Sequence, residues 1–302
     1  MTARLHVPQL VDSPAPPHAS IVVQESLPPE AMLERCVALH TADKTAEARK
    51  KRFTTLGAIA GGATVLSFFA AGITETPALF GLVAVFLALA IGLFIARGVF
   101  GAADIDDRRL HVVRTLVEVL KEDMKRQAPV QLWLDFGGYH RTRAEGRGTG
   151  MFRSTGQLTY QRPWLRMTFT LADGSQVAVH ASTTCKRKER SKRKYTKIKD
   201  RIVDELSVFV RPPRGQSFDP SAQARARAAM PTRLPLRCTA VRVKPRQAEL
   251  AFRSHPGTRL RGRGGWTANV GGLLDGKKAL EAVMASYRAS AATRVRAAAG
   301  AE

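Results

Sequence analysis

The sequence predicts a membrane-anchored α+β protein, in which a two-helix transmembrane hairpin is followed by a cytoplasmic region of antiparallel strands with flanking helices. Three observations support this class. Two long uncharged runs lie close together in the first third of the chain. Segments in which apolar and polar residues alternate follow further along, and turn residues separate those segments.

The uncharged runs cover residues 53–74 and 77–96, and only Glu75 and Thr76 separate them. At a rise of about 1.5 Å per residue, each run is long enough for a helix to cross a hydrocarbon core of about 30 Å. Pro77 suits the first turn of the second helix. The two runs therefore predict transmembrane helices joined by a tight turn.

Small residues at four-residue spacing mark the first predicted span. Gly57 and Gly61 allow a second helix to approach the backbone closely. The partner is either the second span of the same hairpin or the first span of another copy, which would make a homodimer. The motif leaves both alternatives open.

Basic residues are distributed in a way that predicts the orientation of the hairpin. Lys50, Lys51 and Arg52 precede the first span, and Arg97 follows the second, whereas the turn between the spans has no Lys or Arg. The positive-inside rule then places both termini in the cytoplasm. The sequence predicts a multi-pass protein of the inner (plasma) membrane.

Two segments are expected before the first span. Residues 1–29 are rich in proline and predict a disordered arm. Residues 30–52 predict a juxtamembrane helix, because Pro29 and Glu30 suit a helix N-terminus. This helix is expected to continue into the first span.

Residues 104–213 predict a basic α+β domain. The first element is a helix that ends near Gln127, with an apolar stripe formed by Leu110, Val113, Val117, Leu120 and Met124. Alternation then predicts strands over 130–136, 165–171, 177–181 and 206–210. Asp173 and Gly174 predict a tight hairpin turn between the second and third of these strands.

The remaining residues predict smaller elements. Residues 214–233 are expected to be a linker with a short helix, and residues 291–302 a disordered tail. Between them, residues 234–290 predict a small unit of a β-hairpin and a helix that begins at the N-cap Asp275. The sequence leaves open whether this unit is separate from the first domain. A glycine-rich basic turn is expected around Arg259, Arg261 and Arg263.

Charge is the strongest indication of a partner. The net charge is +23, and residues 101–302 carry 40 Lys and Arg against 18 Asp and Glu, a balance of +22. Such an excess predicts attraction to anionic phospholipid or to nucleic acid. The alternative is a GC-rich genome, which would inflate the arginine content without any partner.

The positive charge is densest between residues 186 and 199, which we expect to form a solvated loop. The candidate anion-contact residues are Lys186, Arg187, Lys188, Arg190, Lys192, Arg193, Lys194, Lys197 and Lys199. Juxtamembrane basic residues attract anionic lipid. Single-stranded nucleic acid would need interleaved aromatic residues for stacking, and only Tyr195 lies within the run. We therefore favour lipid over nucleic acid, and a purely solubilising loop is the alternative.

No motif in the sequence predicts catalysis or a cofactor. His180 and Cys185 lack an evident third partner for nucleophilic catalysis, and Cys36 with His40 supplies only two ligands, too few for a structural metal site. We predict no catalytic, cofactor-binding or metal-binding residue. The expected function is a non-enzymatic interaction or regulatory module that contacts anionic lipid or a protein partner. The alternatives are a membrane tether for nucleic acid and an enzyme of unrecognised type.

Overall fold

The protein is an α+β structure with a large antiparallel sheet. The computed structural model describes residues 22–74, 77–102, 107–137, 155–192, 195–262 and 265–296. These residues form two compact units. Ala42–Asp104 lies in the first unit, and Val22–Thr41 with Ile105–Glu302 forms the second.

Five α-helices and eleven strands lie in the described part of the chain. The helices are α1 (Pro29–Thr74), α2 (Pro77–Ala102), α3 (Asp107–Leu120), α4 (Gln223–Ala228) and α5 (Gly276–Ala291). The strands are β1 (Val22–Leu27), β2 (Val130–Asp135), β3 (Thr155–Thr170), β4 (Gln176–Lys192), β5 (Tyr195–Arg211), β6 (Gln216–Phe218), β7 (Arg237–Lys244), β8 (Gln247–Arg253), β9 (Gly257–Gly262), β10 (Gly265–Asn269) and β11 (Arg294–Arg296). The short helix expected in the linker is confirmed as α4.

The first unit contains both uncharged runs, one within α1 and one within α2. Its large apolar side chains point outward, and the exposed fractions of Leu66 and Ile73 are 72% and 82%. Others that are exposed in the same way are Leu56, Ile59, Val65, Phe68, Phe69, Phe80, Leu82, Val85, Leu87, Leu89, Ile91, Phe94 and Ile95. Contiguous apolar surface of this kind marks a site of contact with a membrane or a partner.

One helix among the described residues, Pro29–Ile73, is long and apolar enough to cross a membrane. Phe80–Ala96 is a shorter apolar helix. This finding rests on length and composition and favours membrane association through a helix near the N-terminus. The second span of the expected hairpin stays a prediction.

Gly57 is the glycine of the small-residue pair that lies against α2. A Cβ atom on Gly57 would lie 3.4 Å from Cε2 of Phe94 and 3.6 Å from Cβ of Leu93. At Gly61, no atom of the described residues lies within 4 Å of such a Cβ atom. Gly57 therefore lets α1 approach α2 within the unit, whereas the contact partner of Gly61 and the homodimer stay predictions.

The second unit is built on a nine-stranded antiparallel sheet in the order β1-β2-β3-β4-β5-β8-β7. The long strand β5 pairs along one edge with β4 and along the other with two different strands. Its residues 205–210 pair with β8, and its residues 198–202 pair with β9, which continues to β10. A separate two-stranded sheet joins β6 and β11.

One face of the large sheet forms the core with α3 and α5. Along β4 and β5 the buried side chains alternate with half-exposed ones, and the buried set contains Val177, Val179, Ala181, Leu206, Val208 and Val210. The apolar stripe of α3 is confirmed, since Leu110, Val113, Val117 and Leu120 are buried. Each such side chain stabilises the fold by about 1.5–3 kcal/mol relative to an exposed one. The helix ends at Leu120 rather than near Gln127, because Met124 leaves it and bridges to Leu171.

The start of α5 packs tightly against α3. The predicted N-cap is confirmed, because the Asp275 side chain accepts a hydrogen bond from the backbone N–H of Lys278 at 2.9 Å. A Cβ atom on Gly276 would overlap the hydroxyl of Thr115 and lie 2.7 Å from Nδ1 of His111. Only glycine therefore fits at this crossing of the two helices.

The hairpin turn at Asp173 and Gly174 is confirmed. Gly174 has a φ of 85°, which glycine adopts without strain, and it joins β3 to β4. The Asp173 carboxylate accepts hydrogen bonds from the Tyr287 hydroxyl at 2.7 Å, from Arg294 Nη1 at 2.8 Å and from the backbone N–H of Ser175 at 2.8 Å. Burial alone would raise the pKa of Asp173, but these hydrogen bonds outweigh it and lower the pKa to about 2.

Asp173→Asn should lower the free energy of unfolding at pH 7 by about 1.5 kcal/mol, because hydrogen bonds to a charged acceptor are lost. The stabilisation is present above the unfolded-state pKa of about 3.9 and is lost as the pH falls through the folded-state value. The difference between parent and variant should therefore shrink between pH 4 and pH 2. Urea unfolding followed by tryptophan fluorescence measures it, with exposed Asp123→Asn as the control. Equal unfolding of the two variants at pH 7 would contradict the prediction.

Four expectations from the sequence need correction. Arg294–Arg296, placed in the disordered tail 291–302, is strand β11 and pairs with β6; residues 297–302 lie outside the described part. Val22–Leu27, placed in the disordered arm 1–29, is strand β1 and pairs with β2; residues 1–21 lie outside the described part. The basic run 186–199 is not a loop, because its described residues belong to β4 and β5. The expected turn at Arg259 and Arg261 is strand β9, and Arg263 lies outside the described residues.

Residues 234–290 contribute to the same sheet as the preceding segment. The predicted hairpin there is confirmed as β7 and β8, and β8 pairs directly with β5. Strands β9 and β10 extend the sheet further beside β5. The strands of both segments therefore form one hydrogen-bonded layer.

Candidate anion-binding surface

The hairpin of β4 and β5 carries the candidate residues in register. Directly opposite residues of antiparallel strands lie on the same face of the sheet. Three successive pairs of this kind are all basic, namely Lys186 with Arg201, Lys188 with Lys199, and Arg190 with Lys197. These six side chains are all exposed, and we call them the basic face.

We call directly opposite residues on neighbouring strands a row. Among the described residues, the three rows of the basic face contain no acid. The two acids nearest in sequence, Glu189 and Asp200, alternate with the cations and project from the opposite side of the sheet. None of the six cations forms a salt bridge or side-chain hydrogen bond with a described residue. Their positive charge is therefore presented to the solvent.

Polar donors extend the first of these rows across five strands. Lys186 and Arg201 are flanked by Thr159 of β3 on one side and by Thr258 of β9 and then Asn269 of β10 on the other. Hydroxyl and amide groups donate hydrogen bonds to phosphate oxygens in the same way as basic side chains do. The row combines two cations with three neutral side chains that can bind an anion.

Arg187 lies on the opposite face from the basic face. Its guanidinium donates to the buried Asp200 carboxylate through Nε at 2.9 Å and Nη2 at 3.0 Å. It also lies over the ring of Tyr160, 5.6 Å from the ring centre. With an exposed fraction of 18%, this side chain is a structural ion-pair partner. Its predicted role as an anion contact is not supported by this position.

The structure positions the nine predicted contact residues unevenly. Five of them share the basic face, namely Lys186, Lys188, Arg190, Lys197 and Lys199. The side chain of Lys192 and both Arg193 and Lys194 lie outside the described residues. The sequence analysis does not include Arg201, which lies opposite Lys186 on the basic face. Arg201 continues the two-residue spacing of Lys197 and Lys199. That spacing was the signal that could have identified it.

A buried carboxylate fixes the base of the hairpin. Asp204 accepts hydrogen bonds from Thr183 Oγ1 at 2.6 Å, from Arg108 Nη1 at 2.9 Å and from the backbone N–H of Leu274 at 3.0 Å. Its own backbone N–H donates to the hydroxyl of Ser254 at 2.9 Å. One side chain thereby ties β4 and β5 to α3 and to the segment before α5.

A second buried carboxylate anchors the neighbouring strands. Asp135, at the end of β2, accepts hydrogen bonds from Arg162 Nε of β3 at 2.8 Å and from the backbone N–H of Gly137 at 2.7 Å. Arg109 of α3 donates to the backbone carbonyls of Asp135 at 2.6 Å and Gly137 at 2.8 Å. These contacts hold the end of β2 against α3 and join it to β3, the strand beside the basic face.

The structure separates the two residues of the pair considered for nucleophilic catalysis. Cys185 is buried on the core face, whereas His180 projects from the opposite face beside Phe209. Desolvation, and then the charge of Arg166, lower the pKa of His180, so the ring is neutral at pH 7. Burial, and then the charge of Glu25, raise the pKa of Cys36 to about 11, which keeps this thiol protonated.

A cavity of about 410 Å³ opens between the end of α3, the β3–β4 turn and α5. Its walls are mostly apolar and include Phe169, Val283 and Met284. Tyr287 and Asp173, two of its polar groups, bind each other. This arrangement supports no catalytic assignment.

No protein-family model matches the chain, and neither a curated protein nor a solved structure matches it.

Proposed function

We propose that the chain is a multi-pass protein of the inner (plasma) membrane that uses the basic face to bind anionic lipid, as a non-enzymatic interaction or regulatory module. The observation that carries the proposal is the basic face itself, in which six exposed cations lie on one side of two strands without an acid among them. Each basic residue held near an anionic surface contributes about 1 kcal/mol.

The anchor in this proposal is the hairpin of α1 and α2. Both helices expose large apolar side chains over the uncharged runs, and water would hydrate that surface unfavourably. By the positive-inside rule, the charges that flank the runs favour an orientation with the turn outside and both termini in the cytoplasm. The basic face then lies on the side of the membrane where anionic lipid is concentrated.

Lipid is favoured over nucleic acid because the described surroundings of the basic face lack stacking groups. The neighbours in its rows whose side chains are described are Thr159, Thr258, Leu260 and Asn269, and none of these is aromatic. Single-strand binding proteins rely on aromatic side chains for about 1–3 kcal/mol per base. A membrane tether for nucleic acid is the outcome that would replace this proposal.

Removing four charges from the basic face should strongly weaken lipid binding. The test uses the full chain in nanodiscs of neutral lipid, because β1 and the first turns of α1 belong to the folded unit. With Lys188, Arg190, Lys197 and Lys199 changed to Gln, the affinity for phosphatidylserine vesicles should fall up to about 1000-fold, from about 1 kcal/mol per residue. Neutral vesicles should bind weakly, and parent binding should weaken as salt shortens the Debye length from about 8 Å.

A matched control removes the same charge elsewhere. Lys125, Arg126, Lys277 and Arg288 are exposed residues after α3 and on α5, on the helix side of the sheet. Their Gln variant should bind vesicles nearly as well as the parent does. Equal losses in the two variants would mean that net charge, and not the basic face, attracts the vesicles. Displacement of the parent from vesicles by low micromolar RNA or DNA would favour the nucleic-acid alternative.

Cysteine labelling should establish the orientation of the hairpin. A membrane-impermeant maleimide added to intact cells should modify Thr76→Cys, which lies between the two helices, and should leave Ala228→Cys at the end of α4 unmodified. The parent chain, with Cys36, Cys185 and Cys238, gives the background. Labelling of Ala228→Cys but not of Thr76→Cys would reverse the proposed topology.

A further inference from the structure

The basic face concentrates six positive charges on a small area of the sheet. Side chains directly opposite on antiparallel strands have Cβ atoms about 5 Å apart, and successive residues on one face of a strand are about 7 Å apart. Three rows of two cations therefore cover a patch about 5 Å wide and 14 Å long at the level of the Cβ atoms.

This arrangement opposes folding when no anion is bound. Like charges directly opposite each other destabilise an antiparallel pair, and here three such pairs follow one another, Lys186 with Arg201, Lys188 with Lys199 and Arg190 with Lys197. The local acids do not relieve the repulsion. Asp200 is held by Arg187 on the other face, and Glu189 projects to that face too.

A ligand with several linked phosphates fits this pattern better than one with a single charge. One phosphate can lie between the two cations of a row. A single anion that neutralises two or three rows at once must carry several linked charged groups, as an anion with linked phosphates does. The donors beside the first row, Thr159, Thr258 and Asn269, add hydrogen-bonding groups that suit phosphate oxygens.

We propose that the basic face is a site for a multiply phosphorylated anion, either a free polyphosphate or a lipid headgroup that carries more than one phosphate, and that binding stabilises the β4–β5 hairpin. The inference rests on the proposed function, because it specifies the anion that this surface selects. Ligand binding to the folded state alone raises its stability, so the site is detectable by thermal unfolding.

The test measures thermal unfolding of the full chain in neutral nanodiscs by tryptophan fluorescence. All three tryptophans lie in the second unit, so the signal reports on the unit that holds the basic face. Inorganic tripolyphosphate at about 100 times its Kd should raise Tm by roughly 5 °C, whereas sulfate at the same ionic strength should give less than half of that shift. An equal shift with sulfate would overturn the proposal, because it would mean general screening.

Variants of one row separate a site from net charge. Lys188→Gln with Lys199→Gln should raise Tm without ligand by about 1–3 °C, because one like-charge pair is removed, and should lose most of the shift with tripolyphosphate. The control, Lys277→Gln with Arg288→Gln, should keep the parent Tm and the full shift. Equal loss of the shift in the control would overturn the proposal.

Two further measurements identify the source of the phosphates and compare polyphosphate with nucleic acid. Tighter binding to vesicles with phosphatidylinositol bisphosphate than to phosphatidylserine vesicles of equal total charge would identify a lipid headgroup. Equal binding to both, together with a tripolyphosphate shift, would identify a free polyphosphate. A larger shift with a hexathymidylate of the same charge than with tripolyphosphate would overturn the proposal in favour of nucleic acid. If tripolyphosphate gives no shift while phosphatidylserine vesicles still bind, this inference fails and the proposed function stands.

Discussion

Asp204→Ala should lower the free energy of unfolding of the second unit by about 3–5 kcal/mol, the range measured when one partner of a buried ion pair is removed. The exposed fraction of Asp204 is 1%, and the variant would remove the carboxylate that accepts hydrogen bonds from the Arg108 guanidinium, the Thr183 hydroxyl and the Leu274 amide. Denaturant unfolding of the full chain, followed by tryptophan fluorescence, measures the change.

The residue next in sequence provides the control for Asp204. Glu205 makes a long contact with Arg253, 3.8 Å between Nε and Oε1, and its side chain is exposed. Glu205→Ala should therefore cost less than about 1 kcal/mol. The double variant Arg108→Leu with Asp204→Leu should be less destabilised than Asp204→Ala, because it removes both charges of the ion pair. Similar unfolding of Asp204→Ala and Glu205→Ala would contradict the assigned role.

Leu87→Arg should disrupt the insertion of α2. Leu87 lies near the middle of the run 77–96, and its exposed fraction is 49%, so its side chain would face lipid in the proposed hairpin. An arginine at the centre of a membrane helix costs about 3 kcal/mol on translocon-insertion scales. If α2 fails to insert, the residues after it move to the outside, and Ala228→Cys becomes accessible to the impermeant maleimide.

The matched change for Leu87→Arg is Leu87→Phe, which keeps an apolar side chain. In that background, Ala228→Cys should stay protected and Thr76→Cys should stay accessible. Unchanged protection of Ala228→Cys in the Leu87→Arg background would indicate that α2 does not insert as an independent membrane span.

Strands with clear alternation could be predicted from the sequence. The turn at Asp173 and Gly174 and the parts of β3 and β4 next to it agree with the prediction, because every second residue there is apolar and buried. The distal parts of both strands extend beyond the predicted ranges 165–171 and 177–181. Strand β1 was missed for a different reason. It has six residues, lies beside a proline-rich segment, and pairs with β2 more than a hundred residues later, so no local pattern indicates its partner.

The sequence of the distal part of the β4–β5 hairpin predicts a loop, because its inward-facing positions are also charged. Where a strand normally has an apolar side chain, Arg187 and Asp200 form a buried ion pair, which removes the alternation from the sequence. The same pair separates Arg187 from the candidate contacts. Strand pairing, which the sequence does not encode locally, is what brings Arg201 and the polar donors of β9 and β10 into the same rows.

Strand β5 pairs with β8 over 205–210 and with β9 over 198–202. The amide hydrogens of its two halves can therefore exchange with solvent through two different opening reactions. Detachment of β9 and β10 alone would free one edge of the distal half, while β8 still protects the proximal half. Regions with separate hydrogen-bond partners often open as separate cooperative units below the global unfolding limit. If the distal half of β5 opens fast and the proximal half opens slowly, the distal part of the sheet can unfold locally while the core stays folded.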